Sequence, residues 1–152
     1  MTDVNGFFGD YRFMSNFYIV PVVYDNELYK SSEHAYQAAK TFNNIKKKEI
    51  QEAATPNKAK YLGAMVSVRS DWEDVKEGVM LDIVTAKFKQ NPELLKNLMD
   101  TEGYLEETNT WHDNFWGNCT CEACKDIEGK NILGEVLMHI RNEHFFDQPI
   151  IN

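Results

Sequence analysis

The sequence predicts a mainly helical domain with one small β-hairpin near its N-terminus. Apolar residues recur at three- and four-residue steps through most of the chain, whereas an alternating β-branched run with a short turn occurs only before residue 31. The 152 residues are 43% hydrophobic. Since no repeat or Pro/Gly/Ser-rich linker divides them, we expect a single domain over residues 1–152.

The hairpin is predicted between residues 18 and 31. The runs YIVPVVY and LYKS flank Asp25-Asn26-Glu27, which is rich in turn-forming residues. Pro21 has no backbone N–H to donate, so the first strand is expected at a sheet edge.

The helices are predicted from start and stop signals and from the spacing of apolar residues. They are a helix capped by Ser31 or Ser32 that runs to about Phe42, one from Thr55-Pro56 to Gly63, one from Asp71 to Phe88, one that begins at Asn91-Pro92, and one from about Asn131 to Arg141. Between residues 104 and 131 the helical period disappears. A long irregular segment in a small domain is usually functional or disordered, and its aromatic residues indicate order.

Composition limits the classes of function. With 24 acidic and 16 basic side chains, the formal net charge is −8, which disfavours sequence-independent binding to phosphate backbones. The run Lys46-Lys47-Lys48 is typical of a solvated helix face. No stretch approaches the ~20 apolar residues of a membrane span, and the N-terminus lacks an apolar signal core. We therefore expect a cytoplasmic protein with no membrane partner.

A polar stripe lies on the first predicted helix. Steps of four and three residues place Glu33, Gln37 and Lys40 on one side, with Tyr36 beside them and alanines at close-contact positions. Such a stripe either faces water, which is the commoner arrangement, or lines a pocket.

Two further segments combine aromatic and charged residues. Arg69 precedes the helix that begins near Trp72, whose indole either packs in the core or offers a flat face to a heterocyclic base. Asp113 lies among aromatic residues in WHDNFWG. It either forms a turn with nearby amides or holds a proton for general-acid catalysis in an apolar setting.

Short blocks occur in a recognisable order along the chain. They are RFMSNFY, SSEHAYQAAK, the RxDWExxK pattern at residues 69–76, TAKF, DNFWG and GKNILGEVLMHIR. Their order and spacing, from about Phe13 to Arg141, resemble the NADAR domain, or YbiA-like, family. The resemblance implies a YbiA-like helical domain with a small β element. It also implies an enzyme that hydrolyses N-glycosidic bonds between a ribose carbon and a nitrogen.

The same resemblance implies the site residues. Glu33, Trp72 and Asp113 match the catalytic group expected in the family, and Lys40 lies in the same EHxxQxxK helix as Glu33. The substrate-binding residues are expected to be Ser15, Asn16, Phe17, Arg69, Trp116 and Asn131. No redox or other cofactor is expected.

The residue types suit this reaction. Cleavage of a ribose C–N bond builds positive charge on the sugar and negative charge on the leaving base, so a carboxylate and a proton donor both lower the barrier. Glu33 and Asp113 can share those roles, while Trp72 would hold the base. Lys40 offers a second route, in which a neutral amine forms a Schiff base with the ring-opened sugar. Lys87 is the competing lysine.

All cysteines lie in the segment WGNCTCEACKD, where the chain departs from the riboflavin-linked bacterial pattern. Their C-x-C-x-x-C spacing, with His112 nearby, can supply four zinc ligands. Because spacing fixes no fourth ligand and the chemistry requires no metal, free thiols are favoured and no metal ligand is assigned.

The resemblance implies an N-glycosidase, and of the substrates found in that family we expect ADP-ribose, removed from modified guanine bases. One alternative is an N-glycosidase acting on phosphorylated ribosylamino-pyrimidine intermediates of riboflavin biosynthesis. Others are a non-catalytic ADP-ribose-binding module and, if the cysteine loop binds zinc, a structural adaptor. The expected partner is a nucleotide-sugar small molecule or an ADP-ribosylated nucleic acid base, which an acidic protein can grip through a few flanking phosphates. The oligomeric state stays open.

Overall fold

The computed structural model describes residues 2–146, and helices dominate this part of the chain, which confirms the predicted fold class. In chain order the strands are β1 (Val4–Asn5), β2 (Val22–Tyr24), β3 (Glu27–Tyr29), β4 (Leu105–Glu106), β5 (Thr108–Asn109) and β6 (Asn118–Cys119). The α-helices are α1 (Ser32–Ala39), α2 (Asn44–Glu52), α3 (Pro56–Gly63), α4 (Trp72–Gln90), α5 (Pro92–Met99) and α6 (Ile132–Phe146). Short 3₁₀ helices span Gly9–Met14 and Glu122–Cys124.

The chain divides into two compact units. The middle unit comprises residues 16–91, and the terminal unit comprises residues 2–15 together with 92–146. The single domain expected over residues 1–152 stays a prediction. Within the described residues, no helix combines the length and the apolar character needed to cross a membrane.

The predicted hairpin is present in the middle unit, with shorter strands and a tighter turn. Strands β2 and β3 are antiparallel, with Val22 opposite Tyr29. Asp25 and Asn26 have φ angles of 53° and 64°, values that a two-residue type I′ turn requires. Glu27 therefore belongs to β3 rather than to the turn, and the first strand begins only after Pro21.

The first helix begins as predicted and ends earlier than predicted. The Ser31 hydroxyl accepts a hydrogen bond from the His34 N–H at 3.2 Å, so Ser31 is the N-cap of α1. The helix ends at Ala39 instead of Phe42, because Asn43 caps a further helix, α2, and the connecting chain must leave the helical path. The Asn43 side chain accepts from the N–H groups of Ile45 and Lys46.

Helix α2 was absent from the prediction. It carries the lysine run on a mostly exposed surface, as expected, except that the half-buried Lys47 donates to the Ala38 carbonyl at 3.1 Å. Its apolar content is too small for a helical stripe, since Ile50 is its only buried residue.

Helices α3 and α4 follow their predicted start signals. The Thr55 hydroxyl accepts from the Lys58 N–H at 3.1 Å, with Pro56 in the first turn of α3. Helix α4 begins at Trp72, and Asp71 precedes it without a side-chain capping bond. The helix continues two residues beyond the predicted end, to Gln90, whose side chain donates to and accepts from the Val23 backbone of β2.

In the terminal unit, the segment between residues 104 and 131, which lacks a helical period in the sequence, contains short paired strands. Strand β1 pairs in parallel with β4, and β5 pairs in parallel with β6. Helix α6 packs against β4 and α5. Arg141 of α6 donates to Thr101 Oγ1 and to the Gly103 carbonyl, at 2.9 and 3.0 Å. The final helix continues past the predicted end at Arg141 to Phe146.

Gly63 marks a close contact between α3 and α1. The sequence predicts it as a helix stop, and it is the last residue of α3. A Cβ atom at this position would lie 1.9 Å from Gln37 Oε1 and 2.9 Å from Gln37 Cβ. The contact therefore has no space for a methyl group.

Replacing Gly63 by Ala is expected to destabilise the protein by about 1–3 kcal/mol, because the added methyl displaces the buried Gln37. The matched control is Gly78→Ala in α4, where a Cβ meets nothing within 4 Å. This control should stabilise the protein by roughly 0.5–1 kcal/mol, since alanine loses less backbone entropy than glycine. Urea denaturation measures both changes, and equal stabilisation by the two variants would contradict the close contact.

Candidate functional site

The polar stripe of α1 is buried. Glu33 and Gln37 are 7% and 3% exposed, and Gln37 Nε2 donates to Glu33 Oε2 at 2.6 Å. Lys40, at the C-cap of the helix, is half-buried. The alternative in which this stripe faces water is therefore wrong. Burying a charged carboxylate is costly unless it is hydrogen-bonded, and the Gln37 amide supplies one such bond.

The start of α1 is joined to the segment that precedes the hairpin. The Glu33 N–H donates to the Asn16 carbonyl at 3.0 Å, and Asn16 Nδ2 contacts Met80 Sδ of α4 at 3.4 Å. Asn16 is 8% exposed, and its Oδ1 atom is among the buried side-chain atoms that have no hydrogen-bond partner within the described residues. An orphaned buried oxygen is costly in free energy, and a ligand donor would satisfy it.

Trp72 packs against the same helix. Its ring centroid lies 5.2 Å from that of Tyr36, at an interplanar angle of 55°. Both residues are buried. Trp72 therefore packs against Tyr36 beside the polar stripe. Lys40 Nζ lies 5.7 Å from the Tyr36 ring centroid.

Several charges act on the Lys40 amine. Partial burial lowers the pKa of Lys40, the nearby cations Lys60 and Lys76 lower it further, and the Glu33 carboxylate opposes them. A lowered pKa increases the fraction of neutral amine, which is the nucleophilic form. The prediction that Lys40 is a site residue gains a physical basis from this setting.

Lys60 and Lys76 are site candidates that the sequence analysis missed. Lys60 Nζ lies 5.9 Å from the ring centroid of Phe17, a predicted substrate-binding residue. Lys76 has a side chain that is only 18% exposed and pairs with Glu73 at 2.7 Å. The spacing RxDWExxK contained Lys76, whereas nothing in the sequence distinguished Lys60. Both lysines lower the pKa of Lys40, whereas the Glu33 carboxylate raises it.

Lys87, the competing lysine, is fully buried. Burial lowers its pKa to about 7. Its Nζ atom lies 5.8 Å from the Tyr18 ring centroid and 5.3 Å from that of Phe88. The amine is therefore poised to be neutral, but it lies in the core, where a substrate does not reach it in this conformation.

The Arg69 side chain is paired with a carboxylate of the protein. Its Nε and Nη2 atoms donate to the two carboxylate oxygens of Asp71 at 2.6 and 2.8 Å, and its backbone N–H donates to the Lys40 carbonyl at 2.7 Å. The guanidinium also lies 4.3 Å from the Phe42 ring centroid. These contacts join the end of α1 to the start of α4, so Arg69 positions the chain around Lys40.

Asp113 lies in the terminal unit, in a turn after β5. Its Oδ1 atom accepts from the N–H groups of Phe115 and Trp116 at 3.1 and 2.9 Å. This is the turn-forming role that the sequence offered as one alternative. The catalytic role of Asp113 stays a prediction. Trp116 is half-buried, with its ring edge-on to Phe115 at 4.8 Å between centroids.

Asn109 organises this turn and was missed from the sequence. Its Oδ1 atom accepts from the N–H groups of Trp111 and Asp113, both at 3.2 Å. Its Nδ2 atom donates to the Asp113 carbonyl at 2.8 Å. Polar loop residues surround Asn109 in the sequence, so no local signal identified it.

The other predicted residues of the terminal unit have structural partners. Asn131 has a φ of 53° and is 1% exposed. Its amide accepts from the Glu107 N–H and donates to the Leu105 carbonyl and to the Tyr104 hydroxyl. Asn131 therefore fastens β4 to the start of α6. Ser15 is half-buried and caps the first 3₁₀ helix through its N–H.

Comparisons with known proteins agree with the blocks found in the sequence. The NADAR domain pattern matches residues 6–144. N-glycosidase YbiA from Escherichia coli (strain K12) is 35% identical over 136 residues, covering 88% of this chain and 82% of that protein. A riboflavin biosynthesis protein from Vibrio vulnificus (strain YJ016) is 33% identical over 137 residues, covering 88% of this chain and 36% of that protein. The solution NMR structure of Escherichia coli YbiA is similar with a TM-score of 0.82 at 30% identity, covering 99% of this chain and 88% of that one.

The buried Lys87 makes stability depend on pH. Its pKa is about 7 in the folded protein, against an ordinary 10.5, so the unfolded chain binds more protons between these values. The free energy of unfolding should therefore rise with pH in this window, by up to about 1.4 kcal/mol per pH unit from this group. In Lys87→Met that contribution disappears. Urea denaturation at pH 7, 8 and 9 measures the difference.

Lys89→Met is the matched control, because Lys89 is exposed on the same helix. It should keep the pH dependence of the natural protein. Parallel stability profiles for the natural protein and Lys87→Met would contradict the burial of a titrating amine.

Proposed function

The chain belongs to the NADAR domain family, and from this premise we propose that it is an N-glycosidase that cleaves ADP-ribose from modified guanine bases. The observation that carries the proposal is the buried Glu33–Gln37 pair beside the half-buried Lys40. A carboxylate and an amine with a lowered pKa are the groups that cleavage at a ribose C1′ atom uses.

Glu33 is the group that stabilises the positive charge that develops on the sugar. As the C–N bond breaks, charge develops on C1′ and on the ring oxygen. A carboxylate held by Gln37, in partly desolvated surroundings, stabilises that charge more strongly than one in water. The hydrogen bond also fixes the side chain before the substrate arrives, so little reorganisation accompanies the reaction.

Lys40 supplies a covalent route. Protonation of the ring oxygen opens the sugar and leaves C1′ doubly bonded to the base nitrogen. The neutral Lys40 amine adds to C1′, the base nitrogen takes a proton and leaves, and the resulting lysine imine is hydrolysed by water. Partial exposure favours Lys40 over the fully buried Lys87 for this step.

The surroundings of Lys40 suit a diphosphate. Lys60 and Lys76 are cations close enough to influence the Lys40 amine, and phosphate oxygens are favourable neighbours for such a set. The orphaned Asn16 Oδ1 atom is an acceptor for a sugar hydroxyl or a base N–H. Trp72 packs against Tyr36 beside the polar stripe. The resemblance implies that Asp113 is a second catalytic carboxyl, and which carboxyl protonates the leaving base stays open.

A riboflavin intermediate is the second candidate substrate. The Vibrio vulnificus relative is named for riboflavin biosynthesis, and a ribosylamino-pyrimidine phosphate contains the same kind of ribose C–N bond. Its single phosphate needs fewer cations than the diphosphate of ADP-ribose. The presence of three lysines around one position favours the larger substrate.

Replacing Glu33 by Gln is expected to lower kcat by roughly 100-fold or more on a guanine-ADP-ribosylated oligonucleotide, because the neutral amide cannot stabilise the sugar cation. Binding should persist, since the isosteric side chain keeps an oxygen acceptor for Gln37. Mass spectrometry of released ADP-ribose measures turnover. The ribosylamino-pyrimidine phosphate is assayed in parallel.

The control for this variant is Glu49→Gln, which removes an exposed carboxylate of α2 and should leave turnover unchanged. Release of sugar only from the pyrimidine substrate would select the riboflavin alternative. Tight binding of ADP-ribose with both substrates left intact would select the non-catalytic module instead.

Borohydride reduction during turnover should trap the sugar on Lys40, because it converts the lysine imine to a stable secondary amine. Intact-mass and peptide analysis are expected to find the adduct in the α1 peptide of the natural protein and to find none in Lys40→Arg. Lys58→Arg, on the exposed side of α3, is the control that should still be trapped. An adduct on Lys87, or turnover without any adduct, would reject Lys40 as the nucleophile.

A further inference from the structure

A group of four potential metal ligands lies in the terminal unit, around the loop that follows β5. This group, termed the Cys3His cluster, consists of His112, Cys119, Cys121 and Cys124. Their ligand atoms all lie within 4.8 Å of one another. Cys119 and Cys124 are buried, Cys121 is half-buried and His112 is exposed. None of the cysteines forms a disulfide bond.

The separations within the cluster suit a shared ion better than a set of hydrogen bonds. His112 Nδ1 lies 3.3 Å from Cys121 Sγ and 3.5 Å from Cys124 Sγ. One ring nitrogen has either one proton or one lone pair, so it cannot form a good hydrogen bond with both sulfurs. Zinc held about 2.3 Å from sulfur and about 2.0 Å from nitrogen places neighbouring ligand atoms roughly 3.5–3.8 Å apart. The two separations between His112 Nδ1 and the sulfurs are close to that arrangement.

Two backbone N–H groups are directed at the Cys119 sulfur. The N–H groups of His112 and Cys121 point to Cys119 Sγ at 3.3 and 3.5 Å. These contacts fix the position of the sulfur within the cluster. The Cys119 N–H in turn donates to Asn114 Oδ1 at 2.9 Å. This bond fixes the Cys119 backbone as well as its sulfur.

Separate features bring the ligands together. The pairing of β5 with β6 places Cys119 opposite Asn109. The short 3₁₀ helix Glu122–Cys124 then turns the chain, and the Cys124 N–H donates to the Cys121 carbonyl at 3.0 Å. His112 has a φ of 69°, a left-handed conformation that is uncommon outside glycine. The local backbone therefore holds all four ligands on a common centre.

We propose that the Cys3His cluster binds one Zn²⁺ ion as a structural site. Three sulfurs and one nitrogen favour zinc over magnesium or calcium, which prefer oxygen ligands. Four protein ligands complete a tetrahedron and leave no position for a water molecule or substrate, so the role is structural. The sequence favoured free thiols because spacing alone fixed no fourth ligand. The tertiary structure supplies His112 in that position.

The ion would stabilise the turn that contains Asp113. His112 directly precedes Asp113, whose N–H and carbonyl are both bonded to the Asn109 side chain. A zinc ion that ties His112 to the cysteine loop opposes local opening of this turn. Only the catalytic importance of the Asp113 turn rests on the proposed function. Zinc binding itself does not depend on catalysis.

Metal analysis of the full-length protein tests the site. The protein is expressed in zinc-containing medium, purified under reducing conditions without chelators, and analysed by inductively coupled plasma mass spectrometry. We expect about one zinc ion per chain. Replacement by Co²⁺ should give the visible absorption of tetrahedral cobalt and a sulfur-to-cobalt charge-transfer band. Absence of metal together with no zinc uptake by the reduced protein, or stoichiometric binding of another metal, would overturn the proposal.

The variant His112→Gln tests the fourth ligand without removing a buried thiol. It should weaken zinc binding at least about tenfold in competition with a chromophoric chelator. His139→Gln replaces an exposed histidine of α6 and should retain the affinity of the natural protein. Cys121→Ser provides a second, partly exposed ligand variant. Unchanged zinc affinity in both ligand variants would reject the Cys3His assignment.

Thermal unfolding separates this proposal from the enzymatic one. Addition of a strong chelator should lower the Tm of the natural protein and of His139→Gln, and should have little effect on His112→Gln. Stoichiometric zinc in a protein that cleaves neither substrate would uphold the metal site and reject the proposed function. Full glycosidase activity in a protein that has no bound zinc, and whose Tm the chelator does not change, would uphold the proposed function and reject the metal site.

Discussion

The hydrogen bond between Gln37 and the buried Glu33 carboxylate is the interaction on which the candidate site depends. A carboxylate that is only 7% exposed costs free energy, and the amide of Gln37 at 2.6 Å offsets part of that cost. The position of Glu33 in the first turn of α1 adds a favourable helix dipole. Displacement of Gln37 therefore removes a hydrogen bond that offsets the burial of Glu33, and Gly63 leaves Gln37 the space that it occupies.

The packing around α1 explains why a polar stripe can be buried at all. Ala35 and Ala38 are fully buried, and α1 contacts α2, α3 and α4. Small side chains let these helices approach closely, so the polar residues on the remaining face are enclosed as well. The same packing brings cations from α3 and α4 near Lys40. The surroundings of Lys40 can thus be cationic within a chain whose net charge is −8, because local charge rather than total charge acts over a few ångströms.

Lys40 and Lys87 are buried to different extents, and burial has a different consequence for each. Lys87 is enclosed in the core, where its lowered pKa is mainly a matter of stability. Lys40 is only half-buried, and the pKa of its amine is raised by Glu33 and lowered by the neighbouring lysines. Partial exposure keeps the Lys40 amine accessible, while burial, with a smaller contribution from the neighbouring cations, lowers its pKa. The proposed covalent route requires this combination of accessibility and lowered pKa, since a lowered pKa alone occurs at both positions.

The sequence by itself determined the fold class, the hairpin, the starts of most helices and the family, because caps, turns and ordered motifs are local signals. It missed α2 and the two-residue parallel strands, which are too short or too polar to show a period. It also left open whether Glu33 and Gln37 face water, since that depends on which helices cover α1. Only the tertiary structure decided their burial, the approach of Lys60 and Lys76, the engagement of Arg69 and Asn131 in structural contacts, and the assembly of His112 with the cysteines. Each of these depends on side chains that are distant in sequence and close in space, and spacing along a chain does not encode such proximity.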